Sequence, residues 1–144
     1  MSYQKIIIVG NLGRDPEMRY TGDGTPVTSF SVATNRRWTG SDGSQQEETT
    51  WFRVSAWRRQ AETAAQYLSK GRQVMVEGRL RVDPETGGPR IWTGNDGQPR
   101  ASFEINAFRI IFLQGRADQS AGGARDQGGA GPDYGMEDEE GIPF

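Results

Sequence analysis

Through the stretch Thr50-Trp51-Phe52-Arg53-Val54-Ser55-Ala56-Trp57, bulky and charged residues alternate with apolar ones. Successive side chains of a strand point to opposite faces, so Trp51, Arg53, Ser55 and Trp57 share one face while Phe52, Val54 and Ala56 share the other. The second set makes an ordinary core face. The first places two indoles on either side of a guanidinium, and flat rings interleaved with positive charge stack nucleobases and hold phosphates. The plainer reading, two buried core tryptophans, is weakened by Arg53, because an unpaired buried charge is costly.

The other two tryptophans also stand beside cations, in Arg36-Arg37-Trp38 and Arg90-Ile91-Trp92, and Arg58 directly follows Trp57. Each loop Trp has a plainer role open to it: folding back over the body or, for Trp92, pairing across a hairpin. Trp38 shares parity with Phe30 and Val32, so turning it outward requires a bulge. Further along, Val74, Val76, Leu80 and Val82 share one face of a strand and Glu77, Arg79 and Arg81 the other; on their own these arginines read as solvated surface. Arginine far outnumbers lysine among the cations of the body, and a guanidinium can both stack on a base and fork onto a phosphate.

Most catalytic chemistry is excluded by composition. With no Cys and no His, the chain has no thiol nucleophile, imidazole base, disulfide framework or Cys/His metal site. The glycine-bearing segments Gly10-Asn11-Leu12-Gly13 and Thr21-Gly22-Asp23-Gly24 lack the Lys-Ser/Thr ending of a phosphate-binding loop and read as turns. No pair of carboxylates has a placement suited to acid–base work. The reading is a non-enzymatic binder that needs no cofactor and no metal.

These residues must be positioned by strands. Lys5–Leu12, Val27–Arg37, Thr49–Trp57, Gln73–Val82 and Ala101–Leu113 are rich in β-branched and aromatic residues and predict five strands. Thr39–Ser44 and Pro84–Pro99 have hairpin-turn chemistry. One helix is expected over Arg59–Lys70, where Ala61, Ala64, Ala65 and Leu68 recur at helical spacing, with Lys70 in the last turn and Gly71 as the C-terminal cap. Five strands with a helix between the third and fourth is the element order of an OB-fold, a small all-β barrel, although other small barrels and sandwiches share much of it.

The 144 residues divide near residue 113. Residues 1–113 hold 15 Lys+Arg and 12 Asp+Glu, a net +3, whereas 114–144 hold two Arg and seven acids, a net −5. The first segment is read as the folded domain. The second, with eight glycines in 31 residues and few aliphatics, is expected to be a flexible acidic tail. The longest aliphatic run, Ile6-Ile7-Ile8-Val9, is far short of the ~20 residues of a membrane span, and the first residues lack an apolar signal core. An intracellular, cytoplasmic protein is expected.

The chain resembles the bacterial single-stranded DNA-binding protein family along nearly all of its body. The resemblance rests on Ile8-Val9-Gly10-Asn11-Leu12-Gly13-Arg14-Asp15-Pro16-Glu17-Met18-Arg19-Tyr20, Phe30-Ser31-Val32-Ala33-Thr34 and Thr50-Trp51-Phe52-Arg53-Val54. It continues through Ala61-Glu62 and Tyr67-Leu68-Ser69-Lys70-Gly71 into Val74-Met75-Val76-Glu77-Gly78-Arg79-Leu80, and returns at Glu137-Asp138-Glu139-Glu140-Gly141-Ile142-Pro143-Phe144. It implies an OB-fold, a homotetramer that wraps single-stranded DNA, association with the nucleoid, base stacking on Trp38, Trp51, Trp57 and Trp92, and docking of the 137–144 peptide onto replication, recombination and repair enzymes. Arg36, Arg37, Arg53, Arg58, Arg79 and Arg81 are the expected phosphate contacts, and Asp138, Glu139, Glu140, Ile142, Pro143 and Phe144 the expected partner contacts. Two departures bear on this. The Pro84–Pro99 hairpin is longer than usual for the family, which makes Trp92 the least secure platform, and Gly141 separates the acids from the final tripeptide.

Two other readings of the residues remain open at this point. An RNA-binding OB module of cold-shock type differs in the 2′-hydroxyl it reads, which no residue here announces. A carbohydrate-binding β domain would also use Trp platforms, but would need neither the arginines nor the acidic tail, and its binding would be nearly indifferent to salt.

Overall fold

The computed structural model describes residues 1–113; the expected tail at 114–144, with its terminal peptide, lies outside the described residues. Eight strands and one helix follow one another: β1 (Ile6–Leu12), β2 (Glu17–Tyr20), β3 (Pro26–Thr39), β4 (Gln45–Trp57), α1 (Arg59–Tyr67), β5 (Gln73–Leu80), β6 (Ile91–Thr93), β7 (Pro99–Ala101) and β8 (Phe103–Phe112). The large sheet runs β1-β5-β8-β4-β3-β2, and a further pairing of β1 with β3 closes β1, β5, β8, β4 and β3 into a five-stranded barrel. These are the five strands expected from alternation. The helix lies between the third and fourth of them, as in an OB-fold.

Closure requires tight approaches that only glycine permits. At Gly10, where β1 crosses β3, a Cβ would collide with the Ala33 carbonyl, and at Gly78, on β5, it would collide with that of Asn106. Beside Gly78 the β5–β8 register slips between Glu77 and Gly78, leaving Phe108 as the extra residue of a bulge that bends the sheet round.

Ile8, Leu12, Phe30, Val32, Val54, Ala56, Val74, Val76 and Ile105 fill the interior, one face from each barrel strand, with Ala64 and Leu68 packed on from the helix segment. Small residues let α1 approach closely: Ala61 and Ala64 are fully buried. Thr28, the buried polar residue of the core, donates its hydroxyl proton to the Ala61 carbonyl at 2.6 Å, which removes the penalty of burying it.

Several expected boundaries move. The helix ends at Tyr67, not Lys70, because Leu68 turns to extended backbone (φ −90°, ψ 147°) and drops its side chain into the core. Gly71 is therefore not the helix cap. It takes a positive φ of 86° in the following turn, where its N–H donates to the Leu12 carbonyl at 2.9 Å. Val82 is exposed, not in the core, because β5 leaves the ladder after Leu80 pairs with Ile105. The long Pro84–Pro99 connection contains its own small hairpin, β6–β7, and Ala101 belongs to it and not to the last barrel strand. The short strand β2, all four residues exposed, is an addition that pairs on the outside of β3.

Candidate nucleic-acid interface

β4 carries the centre of the site. Val54 and Ala56 are fully buried while Trp51 and Trp57 remain 52% and 43% exposed, so the alternation read along this strand holds. Cross-strand partners on β3 are small: Ala33 faces Trp51, Ser31 faces Arg53 and Ser29 faces Ser55. Bulky side chains on β4 beside small ones on β3 make the outer surface concave on either side of Arg53. The six residue steps from Trp51 to Trp57 span about 20 Å at strand rise, room for several nucleotides of a strand laid along β4.

Trp51 is seated on Gly13, just after β1; a Cβ at that position would stand 2.5 Å from Cζ3 and 2.6 Å from Cη2 of the indole. Trp57 lines a second depression with Thr21, Asp23, Thr25 and Arg58. Asp23 is held ionised in this turn, its pKa lowered by a hydrogen bond from the Thr21 hydroxyl and further bonds from Thr25. Arg58 has φ 60° and ψ −126°, the one non-glycine residue among the described residues with positive φ. That backbone turns β4 into α1: the Arg58 N–H donates to Pro26 at 2.9 Å and its carbonyl accepts from Ala61 at 3.0 Å. An L-residue held there is strained, and such strain concentrates at functional sites.

Trp92 joins the same side. It sits on β6 and lines a cleft of about 310 Å³ with Arg19, Arg53, Arg81 and Arg90, with Glu104 completing the charged rim. Arg53 lines a smaller neighbouring cleft with Arg14, Asp15, Glu17 and Ser31, so its guanidinium stands between the two. The longer hairpin thus brings its Trp back to the outer face of β4. Arg79 is exposed on β5 but does not line that cleft.

Trp38 departs from the expected arrangement. The β3–β4 register runs without a break from Val27–Trp57 to Thr39–Gln45, so there is no bulge to turn it. It is exposed because the two-stranded ribbon continues past the end of the barrel, where none of the other described strands covers the inward-parity face. Trp38 therefore lies on the opposite face of the ribbon from Trp51. The Arg36 guanidinium sits 5.0 Å from its ring centroid, a cation–π contact. Arg37 points to the other face and pairs with Glu47 at 3.5 Å, both well exposed, an interaction worth little in water.

Sequence reasoning missed Arg14, just before β2, and Arg19, within it, which line the clefts, together with Ser29 and Ser31, which join Ser55 on their floor. Short exposed strands give no alternation to read, and small residues gain meaning only once their bulky neighbours are placed. Among the described residues no group of His, Cys, Asp or Glu side chains could hold a metal ion, and no helix is long and apolar enough to cross a membrane.

Comparison with known proteins agrees with the fold. Residues 3–113 match the model of the single-strand binding protein family. The single-stranded DNA-binding protein of Neisseria meningitidis serogroup A is 40% identical over 128 residues, 89% of this chain and 70% of that protein. The protein of the same name from Wolinella succinogenes is 38% identical over 132 residues, 92% of this chain and 74% of its own length. Among solved structures, the Plasmodium falciparum SSB in complex with ssDNA superimposes with a TM-score of 0.66 at 30% identity, over 79% of this chain and 97% of that one.

Proposed function

The chain belongs to the single-strand binding protein family, and from that premise we propose how its surface holds single-stranded DNA. Bases stack on Trp51 and Trp57 along the outer face of β4 and on Trp92 across the cleft, while Arg53, Arg81, Arg19 and Arg58 take the phosphates. The observation that carries this reading is the convergence of three exposed indoles and an arginine cluster on one concave face whose floor is serine and alanine. Trp38, with Arg36 stacked on it and Arg37 on the other face, lies on the projecting ribbon and extends the path of a strand that wraps round the hairpin. Arg79 takes a peripheral place. Nothing in the site distinguishes one base from another, so binding is independent of sequence, and the protein acts by binding alone.

The exposed edge and outer face of β1 support assembly of the chain into a homotetramer. The acidic peptide 137–144 serves as the handle for replication, recombination and repair enzymes: Asp138, Glu139 and Glu140 meet a basic rim, and Ile142, Pro143 and Phe144 enter an apolar pocket. Cytoplasmic residence at the nucleoid follows from the ligand.

Titration of Trp fluorescence with oligo-dT and with oligo-rU at two salt concentrations tests the reading. Strong quenching by oligo-dT, weakening steeply as salt rises, is expected. Preference for oligo-rU would favour an RNA-binding role, and salt-independent binding would remove the phosphate contacts from the account.

A further inference from the structure

The β6–β7 hairpin that carries Trp92 forms a two-stranded sheet of its own and shares no ladder with the barrel. A side-chain contact at its base ties it to the barrel. There, Arg90 Nη1 lies 3.5 Å from Glu104 Oε2, and the Glu104 side chain, at 13% exposure, is the more deeply set of the two. Glu104 sits on β8 directly beside Arg53 in the parallel β4–β8 pairing, and its carbonyl accepts the Arg81 N–H at 2.8 Å. The cleft wall therefore contains four guanidinium groups, from Arg19, Arg53, Arg81 and Arg90, and a single carboxylate.

A carboxylate and a phosphate are alternative partners for arginine, recognised by the same planar fork. Four like charges round one cleft repel one another unless an anion is present, and among the described residues that anion is Glu104. Once a nucleic-acid phosphate enters, the carboxylate repels it and competes for Arg90. We infer that Glu104 is a positioning residue that stands in for phosphate: it latches the Trp92 hairpin through Arg90 in the free protein, and yields Arg90 to the incoming strand. The latch rests on the DNA-binding role assigned to this face. It makes engagement of the hairpin an exchange of one anion for another, which moderates affinity and lets the hairpin release bound DNA readily.

Exchange has a signature that a purely structural role lacks. A phosphate that takes Arg90 from Glu104 leaves a carboxylate to recruit a cation, so this contact releases no net counterion. In Glu104→Gln, an isosteric change, Arg90 is free and its phosphate contact counts in full. The slope of log Kobs against log salt for oligo-dT should steepen by about 0.7, the value for one single-strand phosphate contact. Affinity at low salt should rise up to about fivefold, the range expected for one exposed charge–charge contact. Adding Arg90→Gln should return the slope to the wild-type value, and Glu104→Asp should keep it. Independently of DNA, limited trypsin digestion of the free protein should cut after Arg90 and Arg100 faster in Glu104→Gln than in wild type. Unchanged slope and affinity, or weaker binding with unchanged proteolysis, would overturn the latch while leaving the interface intact. If wild type and variants alike fail to bind oligo-dT, the reading of the face falls and the latch with it.

Discussion

The indole of Trp51 rests directly on Gly13, with its six-membered ring occupying the space that a side chain at residue 13 would need. A glycine after β1 and a tryptophan on β4 are thus one unit. Gly13→Ala would place a methyl 2.5 Å from the ring, and because the indole is an exposed side chain, the ring gives way before the backbone does. The expected outcome is weaker single-strand binding, by up to the 1 to 3 kcal/mol that a stacking platform is worth, with little change in thermal stability. Oligo-dT titration beside a melting curve separates the two effects.

Trp51→Ala and Trp57→Ala should each cost roughly 1 to 3 kcal/mol in oligo-dT affinity. The two platforms stand about 20 Å apart along β4, beyond direct coupling, so the double substitution should cost close to the sum of the two. Wild-type affinity in both single variants would rule out stacking on this face.

Arg58 separates function from stability. Its positive φ costs about 1 to 3 kcal/mol for a residue with a Cβ, and glycine would relieve most of that. Arg58→Gly should therefore raise Tm by several degrees while lowering affinity for single-stranded DNA. Arg58→Ala keeps the strain and loses the guanidinium, so it should weaken binding to the same extent without the gain in stability. If the two variants melt alike, the backbone at residue 58 is not under strain.

The five barrel strands are legible in the sequence because each buries one face and exposes the other: Phe52, Val54 and Ala56 against Trp51, Arg53 and Trp57 is the clearest case. β2 is not legible, because Glu17, Met18, Arg19 and Tyr20 are all exposed on a short outer strand and leave no alternation. The helix end is misread for a different reason. Leu68 fits the helical spacing, yet its burial in the core is met by an extended backbone that ends the helix one residue earlier. Within the site, parity places Trp51 and Trp57 correctly. Parity also assigns Trp38 to the inner face, which is right, but cannot show that the ribbon outruns the barrel and leaves that face open. Nor does any pattern announce that Arg90, beside Trp92, meets Glu104, a contact between residues 14 apart on elements with no shared ladder.

Removal of residues 137–144 deletes four of the seven acids of a segment with a net charge of −5. Tethered to a body of net +3, those acids are expected to compete at high effective concentration for the arginines proposed to hold phosphate. The truncated protein should bind oligo-dT as tightly as wild type or tighter, and should no longer retain replication and repair enzymes in pull-down. Loss of DNA affinity on truncation would make the peptide part of the binding surface and not its competitor.

β1 carries the features from which assembly is expected. From Ile6 to Gly10 this strand pairs on one side only, with β5; β3 joins it only at Asn11 and Leu12, so most of its other edge is open. Ile8 is buried, but Ile7 and Val9 point outward at 55% and 47% exposure. Val9 lies beside Met75, which in turn faces Ile111, so an apolar band crosses three strands. The helix makes its main contacts with β2, β3, β4 and β8, and leaves Ile7 and Val9 open. Next to the band, Lys5 Nζ and Glu77 Oε2 pair at 2.7 Å, an interaction that holds the Glu77 carboxyl below its usual range and raises the Lys5 ammonium. An open strand edge flanked by an apolar face is a template for pairing with a second copy. Sedimentation equilibrium at micromolar concentration should give a multiple of the 15.9 kDa chain. Ile7→Lys and Val9→Lys place a charge on the band at positions already open to solvent, so the barrel should stay folded while the mass falls toward that of one chain. A monomeric wild-type protein at that concentration would show that the band has another purpose.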